Sequence, residues 1–257
     1  MDLGISGRKA IVCASSKGLG KACAAALARE GCSVYINGRS ADALSAAADE
    51  LAKLGDVTPV QADINTDTGR AALHAACPEP DILVNNNAGP PPGVFSGWDA
   101  QAWQGALDAN LLAPVFMIQG VLEGMQARRF GRIVNITSAM VKSPHPAMGL
   151  STAARSGLTA VCKGLSNEAV AHNVTINNLL PERFDTDRQK FMALMLMQRD
   201  GISMAAAREA IASTINARRM GRPEEFGDAC AFLCSAQAGY ISGQNLQLDG
   251  GSYAGLI

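Results

Sequence analysis

Short apolar runs and longer stretches of helical periodicity alternate along the whole chain. The runs at 10–13, 33–36, 57–61, 82–84, 132–136, 175–179 and 245–248 mostly lack a clean polar alternation, as strands buried on both faces do. Between them, 19–30, 41–54, 69–77, 100–125, 150–172 and 223–235 read as helices. Their small apolar faces, such as Ala22-Cys23-Ala24-Ala25-Ala26-Leu27-Ala28, suit close packing on a sheet. Strand–helix alternation with crossovers of this length predicts an α/β fold: a single Rossmann-type, doubly wound parallel sheet of seven strands with helices on both faces. No repeat or linker divides the 257 residues, so residues 1–257 are expected to form one domain. One segment breaks the rhythm. Residues 182–220 are Met-rich and helical in pattern. They form either a surface helical hairpin or a mobile lid whose methionines line a substrate pocket. The lid is favoured, because ligands of such sheets bind at the carboxyl ends of the strands.

Composition narrows the class. Apolar residues make up 48% and charged residues 18% of the chain, a globular balance that argues against disorder. The net charge is −1, with no basic run, so neither nucleic acid nor a membrane surface is an expected partner. No signal peptide precedes the first strand and no apolar run reaches membrane-spanning length, which implies a cytoplasmic protein. Seven cysteines, at 13, 23, 32, 77, 162, 230 and 234, sit in apolar patterns and read as reduced core residues. The histidines, His74, His145 and His172, are too few and too separated for a zinc cluster, and no metal is expected. Pro90-Pro91-Pro92-Gly93 reads as a stiff loop beside a site, or as a short polyproline ligand.

The chemistry begins at the first strand. It runs into Cys13-Ala14-Ser15-Ser16-Lys17-Gly18-Leu19-Gly20, and a helix follows. Strand, tight turn and helix N-terminus form an anion cradle: backbone N–H groups and the helix dipole face a pyrophosphate, and glycines allow close approach. The second strand ends at Asn37-Gly38-Arg39-Ser40. No carboxylate stands there to bond the ribose hydroxyls of NAD, whereas Arg39 and Lys17 can clamp a 2′-phosphate. The cofactor expected is therefore NADP in preference to NAD.

These motifs, in this order, resemble the short-chain dehydrogenase/reductase family, most closely its bacterial β-ketoacyl-acyl-carrier-protein-reductase-like members. The turn from Ala14 to Gly20 is similar to the family's TGxxxGxG segment, with Ala14 for the first glycine, a change that only a mild φ requirement should permit. Ala62-Asp63-Ile64 resembles the segment that meets the adenine. Asn85-Asn86-Asn87-Ala88-Gly89 resembles the NNAG segment, with a register open by one residue. Asn110 matches the family's helix asparagine, and Ser138 stands at the place of the catalytic serine. Leu180-Pro181-Glu182 resembles the PG turn after the sixth strand, and Leu248-Asp249-Gly250-Gly251 the closing strand. The resemblance implies a cofactor site built from Ala14, Ser15, Ser16, Lys17, Gly18, Leu19, Gly20, Asn37, Arg39, Ser40, Asp63, Ile64, Asn86, Asn87, Ala88, Gly89, Arg155 and Pro181. It implies hydride exchange with a small carbonyl or alcohol substrate, and a homotetramer or homodimer. The apolar tail 251–257 is compatible with burial at a subunit contact.

The chain departs from the family at Y-x-x-x-K. Thirteen residues past Ser138 comes Ser151, and four later Arg155, while no tyrosine occurs between Tyr35 and Tyr240. Serine is a far weaker acid than a phenol. Arginine keeps a positive charge and can bond ribose hydroxyls, but does not give up its proton. Residues four apart share a helix face, so the pair can still hold cofactor. His145 offers another proton donor, since imidazole titrates near neutral pH; its other reading is a residue shaping a proline-bounded turn. Arg183 and Arg188 either meet an acidic group or stand on the surface. The alternatives to redox turnover are a cofactor-binding sensor or partner subunit, and a lyase or isomerase using the same pocket.

Overall fold

Strand β1 (Lys9–Val12) sends Ala10 and Val12 to one face of the sheet and Ile11 to the other, and all three are fully buried. Burial on both faces is what the unbroken apolar run predicted. The structure, a computed structural model, describes residues 1–256. The other strands are β2 (Ser33–Gly38), β3 (Val57–Gln61), β4 (Ile82–Asn85), β5 (Gly131–Ile136), β6 (Val174–Pro181) and β7 (Asn245–Leu248). They form one sheet in the order β3-β2-β1-β4-β5-β6-β7, with every pair parallel. Strand order reverses between β1 and β4, which opens a crevice at their carboxyl ends. One face is covered by α1 (Gly18–Arg29), α2 (Ala41–Leu51) and, near the chain's end, α9 (Pro223–Cys234). The other carries α3 (Asp67–Ala76), α5 (Ala113–Ala127) and α6 (Gly149–Ala169). The expected fold class is the one observed.

Element ends shift by a few residues, for local reasons. Helix α3 starts at Asp67 because Thr66 caps it, its hydroxyl accepting from the Gly69 amide at 3.0 Å. The helix expected at 100–125 is α4 (Ala100–Leu107) and α5, joined by a five-residue π turn, Asp108–Leu112. By length and composition the unbroken helix Ala100–Ala127 could cross a membrane, which corrects the expectation that no run reaches that length. In this fold it is the crossover from β4 to β5, and Met117, Ile118, Val121 and Met125 are buried in the sheet's core. All seven cysteines are buried and unpaired.

A buried asparagine ladder crosses four strands. Asn85 donates to Asn135 at 2.9 Å, Asn135 to Asn178 at 3.1 Å, and Asn178 to Asn245 at 2.8 Å. These residues are register partners on β4, β5, β6 and β7. Within the asparagine-rich segment, Asn85 thus belongs to the sheet and the cleft lining begins at Asn86.

The segment 182–220 contains two helices, α7 (Asp187–Asp200) and α8 (Met204–Ser213). Ala193, Ala207 and Ile211 make a small core of their own, with Met192, Met197, Met204 and Met220 packed against it. Most of these methionines therefore fill a hairpin core. Met192 and Met195 also reach the cleft wall.

Ala14 adopts φ +45°, so the φ demand at this position is not mild. A left-handed non-glycine residue costs about 1 kcal/mol. Ala14→Gly is expected to raise the unfolding free energy by about 0.5–1 kcal/mol, read from a urea titration. An unchanged or lowered midpoint would mean that Ala14 carries no strain.

Candidate active site

The turn after β1 is held from behind. Ser15, fully buried, donates from its hydroxyl to the Val12 carbonyl at 2.6 Å and accepts the Asn37 amide at 2.9 Å. Asn37 uses its side-chain amide on the Val60 and Ala62 carbonyls and its oxygen on the Ala14 amide. Gly20 is needed for proximity, because a Cβ there would lie 2.5 Å from the Ala14 carbonyl oxygen. Ser40 caps α2 by accepting the Ala43 amide. Ser15, Gly20 and Ser40, expected to touch cofactor, lie off the cleft wall and shape the turn and the helix beside it.

Helix α1 begins at Gly18, φ +59°, with no side-chain cap from Lys17 and no acid in its first turn. Its first N–H groups therefore lack a side-chain cap, and Gly18 and Leu19 line the cleft, the arrangement that suits an anion. The cleft encloses about 1260 Å³, above the roughly 300–1,000 Å³ of a single-ligand pocket. Lys17 and Arg39 stand at one end with exposed side chains, and neither has an ion-pair partner among the described residues. Asp63 and Ile64 lie on the same wall, where the Asp63 carboxylate accepts the Asn65 amide at 3.0 Å.

Asn86, Asn87, Ala88 and Gly89 line the middle of the cleft. Asn86 braces the glycine turn by donating to the Ala14 carbonyl at 3.0 Å. Asn87 donates to Ala109 of the π turn at 2.9 Å. Asn110 lies within that turn, 2% exposed, and donates to the Ala88 carbonyl at 3.3 Å. It borders a second cavity of about 340 Å³ rather than the main cleft, and its buried Oδ1 has no partner. A π turn inside a helix commonly marks a functional site, and the sequence periodicity carried no sign of it.

Ser138, Ser151, Arg155 and His145 meet at the other end, with Pro181. Ser138 Oγ accepts the Met140 amide at 3.2 Å, which leaves its O–H free to donate. His145 is exposed; its Nδ1 accepts the Ala147 amide at 3.2 Å, so the neutral ring carries its proton on Nε2. Ser151 and Arg155 share one face of α6, and Arg155 Nε donates to Ser151 Oγ at 3.2 Å. The remaining guanidinium bonds run to the carbonyls of Ile136 at 2.6 Å, Thr137 at 3.0 Å and Asn87 at 3.3 Å. Arg155 therefore ties the ends of β4 and β5 together, and only one of its five N–H groups is left for a ligand, where the sequence suggested a side chain free to bond ribose. Burial, with the charge of Arg188 nearby, pulls its pKa down from the usual guanidinium value to about 10. The side chain is thus a fixed cation at neutral pH.

Comparison with known proteins settles the lineage. The family model described as enoyl-(acyl carrier protein) reductase matches residues 13–253. The NADPH-dependent reductase BacG of Bacillus subtilis is 32% identical, over 96% of this chain and 98% of its own. The chain belongs to the short-chain dehydrogenase/reductase family. The 3-oxoacyl-[acyl-carrier-protein] reductase FabG of Vibrio harveyi is 29% identical, over 98% of this chain and 99% of its own. The crystal structure of L-sorbose reductase from Gluconobacter frateurii, complexed with NADPH and L-sorbose, superposes with a TM-score of 0.94 at 28% identity and full coverage of both chains. Short-chain dehydrogenase/reductase relatives of this chain are thus NADPH-dependent reductases. Thr137, Thr186 and Arg188 also line the cleft of this member. The first two carried no sequence signal beyond their position after β5 and before α7.

Proposed function

We propose that this short-chain dehydrogenase/reductase is an NADP-dependent oxidoreductase that reduces a ketone, 3-oxoacyl-like or other, or oxidises the matching alcohol, through an atypical catalytic site. One observation carries the reading: a single cleft runs from the uncapped start of α1, flanked by Lys17 and Arg39, to the hydroxyls of Ser138 and Ser151. The NADPH dependence of its relatives supports it. Lys17 and Arg39 would hold the 2′-phosphate, the first turn of α1 the pyrophosphate, and Pro181 and the 86–89 segment the nicotinamide half. When bound, the cofactor supplies or takes the hydride.

Ser151 and Arg155 stand where the family has Tyr and Lys. In reduction, Ser138 and Ser151 donate hydrogen bonds to the substrate oxygen, and Arg155 stabilises the charge growing there. Through its bond to Ser151, Arg155 makes that hydroxyl a better donor. The proton comes from Ser151, from water in the space a phenol would fill, or from His145 Nε2–H. The segment 182–220 closes over the substrate, with Met192 and Met195 against its apolar part. The protein works as a homotetramer or homodimer, which sedimentation velocity would report.

The test mixes the protein with NADPH and a panel of ketones, diketones and acetoacetyl thioesters, following absorbance of the reduced cofactor. Turnover of at least one is expected. Tight NADPH binding without turnover across the panel would favour a sensor or partner subunit. Arg39→Ala is expected to weaken NADPH binding about 10- to 100-fold, the worth of a charge-assisted hydrogen bond, and to leave NADH affinity nearly unchanged. Fluorescence titration with both cofactors checks this, and an equal loss for the two would remove Arg39 from the 2′-phosphate site.

A further inference from the structure

Charge does not balance at the catalytic end of the cleft. Each carboxylate in the segment from Glu182 to Asp200 already has a cation: Glu182 has Arg183 at 3.4 Å, Asp185 has Arg208 at 2.8 Å, Asp187 has Lys190 at 3.3 Å, and Asp200 has Arg199 at 2.6 Å. Two guanidiniums at this end of the cleft wall, Arg155 and Arg188, have no carboxylate among the described residues, while Arg39 stands at the other end. Arg155 is 8% exposed and has spent four N–H groups on Ser151, Ile136, Thr137 and Asn87. Its last N–H is on Nη2, and a Cβ built on Gly89 would lie 3.4 Å from that nitrogen. Arg188, in the first turn of α7, reaches the Pro90 carbonyl at 3.4 Å, and its side chain makes no other hydrogen bond among the described residues. Gly89 and Pro90 are consecutive, so the two guanidiniums flank one step of backbone. They lie near enough that the Arg188 charge, after burial, helps to lower the Arg155 pKa. A planar guanidinium with spare donors is suited to a carboxylate.

We propose that the substrate is anionic: a carbonyl compound, or the matching alcohol, bearing a carboxylate that is held between Arg188 and the free N–H of Arg155. This rests on the reading above, in which Ser138 and Ser151 receive the reacting oxygen. The apolar walls of Met192, Met195 and Leu196 take the rest of the molecule. The cofactor's phosphates have their own cradle at α1 and their own cations in Lys17 and Arg39, so Arg155 and Arg188 remain for the substrate.

The experiment needs no turnover. Benzoylformate, acetoacetate and levulinate, each beside its methyl ester, are titrated into the NADP⁺-loaded full chain by calorimetry at low salt. They place the carboxylate at three distances from the carbonyl. At least one acid is expected to bind tenfold or more tightly than its ester. Arg188→Gln is expected to abolish that preference, Arg188→Lys to retain part of it, and NADP⁺ affinity to stay within twofold in both. The proposal is overturned if no acid outbinds its ester, if Arg188→Gln leaves the preference intact, or if Arg188→Gln weakens NADP⁺ binding by a similar factor, which would assign Arg188 to the cofactor's phosphates. Acids bound preferentially but never reduced would sink the oxidoreductase reading and keep this one. Neutral ketones reduced, with no preference for acids, would do the reverse.

Discussion

Arg155→Met is expected to lower the unfolding free energy by roughly 2–4 kcal/mol. The side chain is 8% exposed and donates to three backbone carbonyls, at Ile136, Thr137 and Asn87, besides Ser151. Methionine fills much of the volume and bonds none of them. Each buried acceptor left unpaired costs about 1–3 kcal/mol. Part of the loss is offset because methionine brings no charge to desolvate. In a chain of this size the loss corresponds to a fall in Tm of roughly 5–15 °C. The sign of the pH dependence follows from a pKa of about 10 in the folded chain, below the ordinary guanidinium value of the unfolded one. Well below pH 10 the guanidinium is charged both folded and unfolded, so the variant's loss should be equal at about pH 6 and pH 8. Above about pH 10, up to the ordinary guanidinium range, the unfolded chain holds more protons at this group, and its contribution to wild-type stability should rise with pH there. Arg155→Lys keeps the charge without the planar fork and should recover only part of the loss. A urea titration of the three proteins decides the point. A loss under about 1 kcal/mol in the methionine variant would show that Arg155 does not join the strand ends.

Ser138→Ala is expected to reduce turnover by roughly 100- to 1,000-fold, the usual effect of removing one preorganised oxyanion donor. Cofactor affinity should barely change. The Ser138 hydroxyl has its acceptor role satisfied by the Met140 amide, which fixes the side chain and frees the proton to point at substrate. The bond to Met140 also caps a short turn, so alanine costs about 1 kcal/mol of stability as well. That effect is read separately in the melting curve and does not touch kcat below the transition. The same assay sorts the proton donors. If His145 supplies the proton, His145→Ala lowers kcat; if activity is untouched, Ser151 or water does so. A Ser138→Ala protein within about tenfold of wild type would move the oxyanion site elsewhere.

Much of this site could be read along the chain because its parts are contiguous. The turn from Ala14 to Gly20 and the cations Lys17 and Arg39 are set by residue type at a strand's end, and local sequence determines both. The strand set, the doubly wound class and the buried cysteines follow from hydrophobic pattern for the same reason. The asparagine ladder was out of reach, because Asn85, Asn135, Asn178 and Asn245 come together only through strand register. So was the strain at Ala14, since only the closed turn shows what φ the residue must adopt. Sequence also determined that Ser151 and Arg155 lie on one helix face. Tertiary structure alone decided what Arg155 does there. The carbonyls that consume its donors come from two other strand ends, and the other guanidinium without a carboxylate at that end of the cleft, Arg188, arrives on a helix thirty-three residues away. Hydrogen bonds and charge act over a few ångströms of space, whatever the distance along the chain.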